Sequence, residues 1–173
     1  GPEYFEVRRA DGSVSYYGNS VDSRFTADSG PAISWAINEV TDLLNVSSNK
    51  IKYEYQFAEE EQLLKSVTYS GNTVSFNYDT LEQSDRPKAF VFDRIITPNS
   101  QLNNVTVRNH NNQQVYKVTL GYEKAPLSGV QRIFQITECG TDSSNCLKPL
   151  TLEWFDAAEN SPGFKTSAPI SAV

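Results

Sequence analysis

The chain carries one histidine, no methionine and two cysteines in 173 residues. A structural zinc site needs four nitrogen or thiolate ligands, and His110, Cys139 and Cys146 are too few. A serine-hydrolase triad would have to use His110, which stands between Asn109 and Asn111 and reads as a solvated residue at a hairpin tip. The nine glycines are scattered singly, so no phosphate-cradling loop is present, and EF-hand spacing is absent. No apolar run approaches the roughly 18 residues that span a bilayer, so no membrane insertion is expected. No signal peptide is visible. Gly1-Pro2 reads as a scar of protease cleavage, residues 3–156 as one domain and residues 157–173, rich in Ala, Ser and Pro, as a linker or extended tail. A net charge of −6 and a pI near 4.8 argue against a nucleic-acid or anionic-membrane surface.

What the chain does have is aromatic and alternating. Aromatics make up 12%, with nine Tyr and nine Phe, and the Val, Thr and Ile around them tilt the class toward β-structure. "YFEVRRADGSVSYYG" predicts a hairpin turning at Asp11-Gly12, "LKSVTYSGNTVSFNYD" a second across Ser70-Gly71-Asn72, and "NNVTVRNHNNQQVYKVTLGYE" a third at His110-Asn111-Asn112. "SWAINEVTD" fits strand or helix, and strand is preferred because "NKIKYEYQ" offers it a partner. "AEEEQLLKS" (58–66) predicts one or two helical turns, and "TLEQSDRPKA" a polar loop. "FVFDRIIT" (90–97), "VQRIFQITEC" (130–139) and "PLTLEWF" (149–155) complete roughly ten strands. The fold class expected is all-β, with sequential antiparallel hairpins forming one or two twisted sheets.

A degenerate repeat runs through these hairpins. Gly12-x-Val14-x-Tyr16, Asn49-x-Ile51-x-Tyr53-x-Tyr55 and Asn72-x-Val74-x-Phe76-x-Tyr78 share one frame, and Gln114 to Tyr122 follows it loosely. Residues i, i+2 and i+4 of a strand line one face, so each unit presents an apolar stripe that only neighbouring hairpins can cover. Trp35, Tyr53, Tyr55, Phe76, Tyr78, Tyr122 and Trp154 are the expected stripe, and Gly12 and Gly71 the expected turns.

Four stretches in order carry a family resemblance. They are "ADGSVSYYGNSVDSRFT", "SWAINEVTD…NKIKYEY", "VTYSGNTVSFNYD" and "LGYEKAPLSGVQRIFQITECGTDSSNCLKPLTLEW". Together, over about residues 4 to 155, they resemble the SpvB/TcdB-like region of insecticidal toxin-complex B components, within the RHS/YD-repeat class. The nine residues of "DLLNVSSNK" are longer than the family's usual turn and lack its Gly, and "LKPL" has one Pro where two are usual. The resemblance implies a bacterial, secreted or cell-surface scaffold whose hairpins build a shell around a toxic segment. The implied partners are other domains of the same polypeptide, the RHS shell and an FG-GAP propeller, and other toxin-complex subunits. Toxic activities in this class sit elsewhere, so none is implied for this segment.

Side chains with catalytic potential are sparse, and neither an enzyme nor a cofactor is expected. Glu59, Glu60 and Glu61 read as a solvated acidic face. Asp22-Ser23-Arg24 is the most distinctive polar trio, with Arg24 expected to pair with Asp22 or another carboxylate and fix the turn. Asp85-Arg86 and Asp93-Arg94 read as surface ion pairs of small value. Asn45-Val46-Ser47 and Asn104-Val105-Thr106 match the glycosylation sequon, a frequent chance pattern. Cys139 and Cys146 flank a turn-forming loop and are either a disulfide or two free thiols. An aromatic sheet face that recognises glycan or protein is the alternative function, and exposed sheet edges predict self-association.

Overall fold

Turn chemistry sets the chain's first hairpins. Ser70 and Gly71 both lie at positive φ, 49° and 78°, giving a two-residue turn whose twist matches its strands. Gly12 (φ 83°) and Asn112 (φ 60°) close three-residue loops, bonded Arg9 N–H to Ser13 O at 2.9 Å and Asn109 N–H to Gln113 O at 3.0 Å. The computed structural model describes residues 1–155 apart from 27–29, 60, 92–93, 127 and 143.

These hairpins lie side by side in one antiparallel sheet of ten strands. In spatial order they are β1 (Phe5–Arg8), β2 (Val14–Tyr17), β5 (Ile37–Thr41), β6 (Ile51–Ala58), β7 (Glu61–Tyr69), β8 (Asn72–Thr80), β11 (Ser100–Arg108), β12 (Gln114–Lys124), β13 (Gln131–Cys139) and β14 (Leu150–Thr151). Two ribbons interrupt the sequence, β3 (Arg24–Thr26) with β4 (Ala32–Trp35), and β9 (Ala89–Val91) with β10 (Arg94–Ile96). Each follows a single 3₁₀ turn, at Val21–Ser23 and Gln83–Asp85, and each joins two sheet neighbours, β2 to β5 and β8 to β11. The chain thus writes one topological unit twice.

Register sorts the two faces. Tyr53, Val67, Val74, Val107 and Tyr116 stand in one cross-strand row, and Phe76, Val105 and Val118 in the next. The opposite face carries rows such as Lys52, Thr68, Thr73 and Arg108. One apolar and one polar face is the expected result of period-2 alternation. Among the described residues Cys139 is the only buried hydrophobic residue, so the ten strands form a single layer with a half-buried stripe, and Phe25 of the β3–β4 ribbon stacks on Phe57 of β6.

Five expectations are corrected. Residues 61–66 of the helix-like "AEEEQLLKS" lie in β7, because pairing with β6 and β8 outweighs the helix propensity of a segment too short to hold a helix. Phe90–Thr97 is not one strand; Ala89–Val91 and Arg94–Ile96 turn back on each other. "PLTLEWF" is a strand only at Leu150–Thr151, and the described residues form fourteen strands where roughly ten are expected. "SWAINEVTD" splits at Ala36 into strands of two different sheets, with Ala36 N–H bonded to Ser23 O at 2.8 Å.

The ion pairs also differ from expectation. Asp85 pairs with Lys124 and Arg86 with Glu59, while Asp93 and the side chain of Arg94 lie outside the described residues. Glu60 and the tail 157–173 lie outside them too.

Cys139 and Cys146 are joined as a disulfide over a sequence separation of 7. It closes the β13–β14 connection, with Leu147 N–H on Glu138 O at 2.8 Å. Loop-closure entropy for so short a loop gives about 2.5 kcal/mol. Replacing both cysteines by serine should therefore lower the urea midpoint, and amide exchange should rise first at residues 147–152.

Candidate functional site

The candidate site is a ladder of backbone irregularities, repeated along the sheet. Besides Ile33 in β4 and Val115 in β12, four strands carry one extra residue relative to the strand before them: Asn38 in β5, Lys65 in β7, Asn103 in β11 and Phe134 in β13. Each lies inside an apolar pair spaced by three rather than two: Ile37 and Val40, Leu64 and Val67, Leu102 and Val105, Ile133 and Ile136. A regular strand would send the two members of such a pair to opposite faces. The extra residue re-phases the strand and returns both to the apolar face, at the cost of local twist.

A bulge frees backbone groups. Beyond Glu39, Ser66, Asn104 and Gln135 the ladder to the following strand stops, so the carbonyl two residues back has lost its strand partner. In three steps a tyrosine of the following strand supplies the missing donor. Tyr55 O–H donates to Ile37 O at 2.7 Å, Tyr78 to Leu64 O at 2.9 Å and Tyr122 to Leu102 O at 2.8 Å. In the fourth, Trp154 Nε1–H donates to Ile133 O at 2.8 Å. Each of these tyrosines also faces the next bulge, Tyr55 paired with Leu64, Tyr78 with Leu102 and Tyr122 with Ile133. One side chain therefore satisfies one bulge and packs on the next.

Two carboxylates complete the ladder. Asp22 accepts Tyr55 N–H at 2.8 Å, the amide facing the Lys65 bulge. Glu61 accepts the N–H groups of Asn99 and Ser100 at 2.8 and 3.0 Å, so it is a backbone cap and not part of a solvated acidic face. Glu59, by contrast, is exposed and meets Arg86 at 3.4 Å.

Burial raises the phenol pKa of Tyr55, Tyr78 and Tyr122. Negative charge near Tyr55 (Tyr53 and Asp22) and Tyr78 (Glu61) adds to it. Unfolded tyrosine ionises near pH 10. With the folded pKa raised, their contribution is complete below that pH and is lost as pH climbs through the folded value. Phenolate absorbance should show a late-titrating group of tyrosines whose ionisation coincides with loss of the β-sheet circular dichroism.

The other expected site residues divide. Tyr53 and Phe76 stand in the apolar rows, and Gly12 and Gly71 hold the turns. A Cβ on Gly71 would meet His110 Cβ at 3.1 Å, which places His110 against a neighbouring hairpin tip. Trp35 is not in the stripe. It lies in the β3–β4 ribbon, edge-on to Phe5 with centroids 5.0 Å apart, because its strand leaves the main sheet at Ala36. Arg24 does not pair with Asp22, whose carboxylate is taken by Tyr55 N–H; it lies across the ribbon from Trp35, with no carboxylate partner among the described residues. Trp154 is half-exposed, with the Arg132 guanidinium 5.6 Å from its ring centroid. Reading the sequence by period-2 alternation alone missed the bulges. The three-residue apolar spacing was the available signal.

Known structures share this architecture. The chain superimposes on the crystal structure of TcdB2-TccC3-Cdc42 with a TM-score of 0.74 at 14% identity, over 90% of its own length and 10% of that chain. It superimposes on the N-terminal domain of effector protein SpvB from Salmonella typhimurium strain LT2 with a TM-score of 0.66 at 12% identity, over 82% of its length. That match spans 62% of the SpvB chain, so the chain covers less than two thirds of either neighbour's length. No family model and no curated protein matches the sequence. The neighbours are those the sequence resemblance pointed to, and at these identities they establish the fold. No helix among the described residues is long and apolar enough to cross a membrane.

Proposed function

We propose that this chain is a non-enzymatic wall module of a larger bacterial toxin-complex or effector protein, secreted or delivered to a host. In this reading it contributes β-sheet to a shell and seats neighbouring domains of the same polypeptide, including further RHS-type hairpins and a propeller, or other toxin-complex subunits. The single observation that carries the reading is the tyrosine ladder. Its hydroxyls are turned onto backbone carbonyls, so the distinctive side chains fix sheet geometry instead of presenting chemistry to solvent. The fold shared with a TcdB2-TccC3-Cdc42 chain and with SpvB supports a place within a longer polypeptide.

The glycan- or protein-binding alternative needs a contiguous aromatic platform. Among the described residues Phe5, Phe57, Tyr69 and Tyr116 are the exposed aromatics of the ten-stranded sheet; Phe5 and Phe57 lie against Trp35 and Phe25 of the β3–β4 ribbon, while Tyr69 and Tyr116 stand on β7 and β12, with β8 and β11 between them. That scattering favours the wall. Titration with soluble oligosaccharides should leave tyrosine and tryptophan emission unchanged. Sedimentation should show concentration-dependent association through the open strands at the sheet margins. Saturable oligosaccharide binding by a strictly monomeric chain would reverse the choice.

A further inference from the structure

The margins of a single-layer sheet are where its backbone still has hydrogen bonds to give. This sheet ends at β1 on one side and β14 on the other. β14 has two residues, whereas β1 has four, Phe5–Arg8, and all four are exposed. Among the described residues β1 pairs with β2 alone. Arg9 N–H turns inward to Ser13 O at 2.9 Å, so by alternation Phe5 and Val7 also turn their N–H and C=O groups toward β2. Glu6 and Arg8 therefore aim theirs outward, away from the sheet.

The side chains of this edge are sorted as well. Phe5 and Val7 continue the cross-strand rows of Ile37 and Val40 on the apolar face. Glu6 continues the row of Tyr16, Glu39 and Lys52 on the polar face, and Arg8 shares that face, ion-paired with Glu6 at 2.5 Å. Edge strands are commonly protected by charges that repel a second strand. β1 instead carries one charge of each sign two residues apart, a pattern that a copy of itself can answer.

Two copies of β1 meeting antiparallel about a two-fold axis have few registers. An axis between residues sets the apolar side chains of one copy on the polar face of the other. An axis at Glu6 opposes Glu6 to Glu6, and one at Arg8 opposes Arg8 to Arg8, like charges face to face. An axis at Phe5 relies on Tyr4, outside the strand, and sets Arg8 against Pro2, whose carbonyl already accepts Trp35 Nε1–H at 3.3 Å. An axis at Val7 opposes Glu6 to Arg8 twice. It also joins the outward N–H and C=O groups of those residues in reciprocal backbone hydrogen bonds.

We propose that β1 is a self-complementary docking edge for a second copy of this chain, paired antiparallel about a two-fold axis at Val7. The contact is isologous and closes as a dimer. The two sheets run on into each other with their apolar faces on the same side. This deepens the wall reading, on which it rests for the open margin, by naming the margin, its occupant and the register.

Sedimentation velocity of the full chain over a concentration series should show a monomer–dimer equilibrium that weakens with added salt. Glu6→Arg and Arg8→Glu should each lower the association constant about tenfold, since each turns two attractive cross-strand pairs into repulsive ones. An equimolar mixture of the two variants should recover it, as should the double variant, because both restore opposite charges at each opposed position. Recovery on mixing also shows that both variants are folded. Val7→Cys should form an intermolecular disulfide on oxidation, its two Cα atoms about 4.5 Å apart in a non-hydrogen-bonded pair, and Glu6→Cys should not. Association that neither charge reversal weakens overturns the proposal and leaves the wall reading standing, with the pairing at another edge. A mixture that fails to recover, in a chain where Val7→Cys does not cross-link, overturns it too. A strictly monomeric chain that binds no oligosaccharide overturns this proposal alone, whereas saturable oligosaccharide binding by a monomer reverses the wall reading.

Discussion

Replacing Tyr55, Tyr78 and Tyr122 together by phenylalanine should lower unfolding free energy by about 3 kcal/mol, measured by urea denaturation. Each substitution keeps the ring and its packing and removes one hydroxyl donor from a half-buried carbonyl, an effect of about 1 kcal/mol. The three carbonyls, Ile37, Leu64 and Leu102, belong to different strands and share no partner, so the losses should add. The triple variant should also lose most of the late phenolate titration, which ties the alkaline transition to these residues. A variant as stable as the parent would mean that water satisfies the carbonyls equally well, and that the ladder is not a source of stability.

Gly18→Ala should be the most damaging single substitution, at roughly 2–4 kcal/mol. Gly18 is buried at φ +74°, and its N–H bonds Ala36 O at 2.9 Å where the chain leaves the ribbon. A Cβ there would lie 2.2 Å from Trp35 Cδ1 and 3.2 Å from Arg24 Cγ. Trp35 has little room to yield, with Phe5 against its ring and its Nε1–H on Pro2 O at 3.3 Å. Gly129→Ala supplies the control. Its φ is +67° with open space around it, so it carries the left-handed strain of about 1 kcal/mol without the collision. The difference between the two melting curves measures the packing of Trp35 against the turn. Equal losses would remove that packing from the account.

Trp35 also shows why some of the molecule was legible and some was not. As a sequence, "SWAINEVTD" offers an aromatic at the right spacing for the stripe. The chain instead turns at Ala36, and whether a strand stays in the main sheet depends on which carbonyl meets the Ala36 amide, here Ser23 O. No local pattern encodes that meeting. Asp22 is similar: its neighbour Arg24 is the obvious partner by sequence, yet Tyr55 N–H, 33 positions away, claims the carboxylate. The helix-like look of "EEEQLLKS" has a different origin. Leu64 and Val67 are three apart, as on a helix face, and the bulge at Lys65 satisfies the same spacing in a strand.

Composition, alternation and turn residues were enough to determine an all-β chain of sequential hairpins, because period-2 burial and positive-φ turns are local properties written residue by residue. The position of Gly12 and Ser70-Gly71, the one-sided stripe and the spacing of the bulges all belong to that local text. Tertiary structure alone decided that the hairpins form one layer of ten strands, that two ribbons leave it, and that three tyrosines and a tryptophan reach back to carbonyls freed one strand earlier. Those outcomes depend on which strands become neighbours, and neighbours are set by contacts distant in sequence.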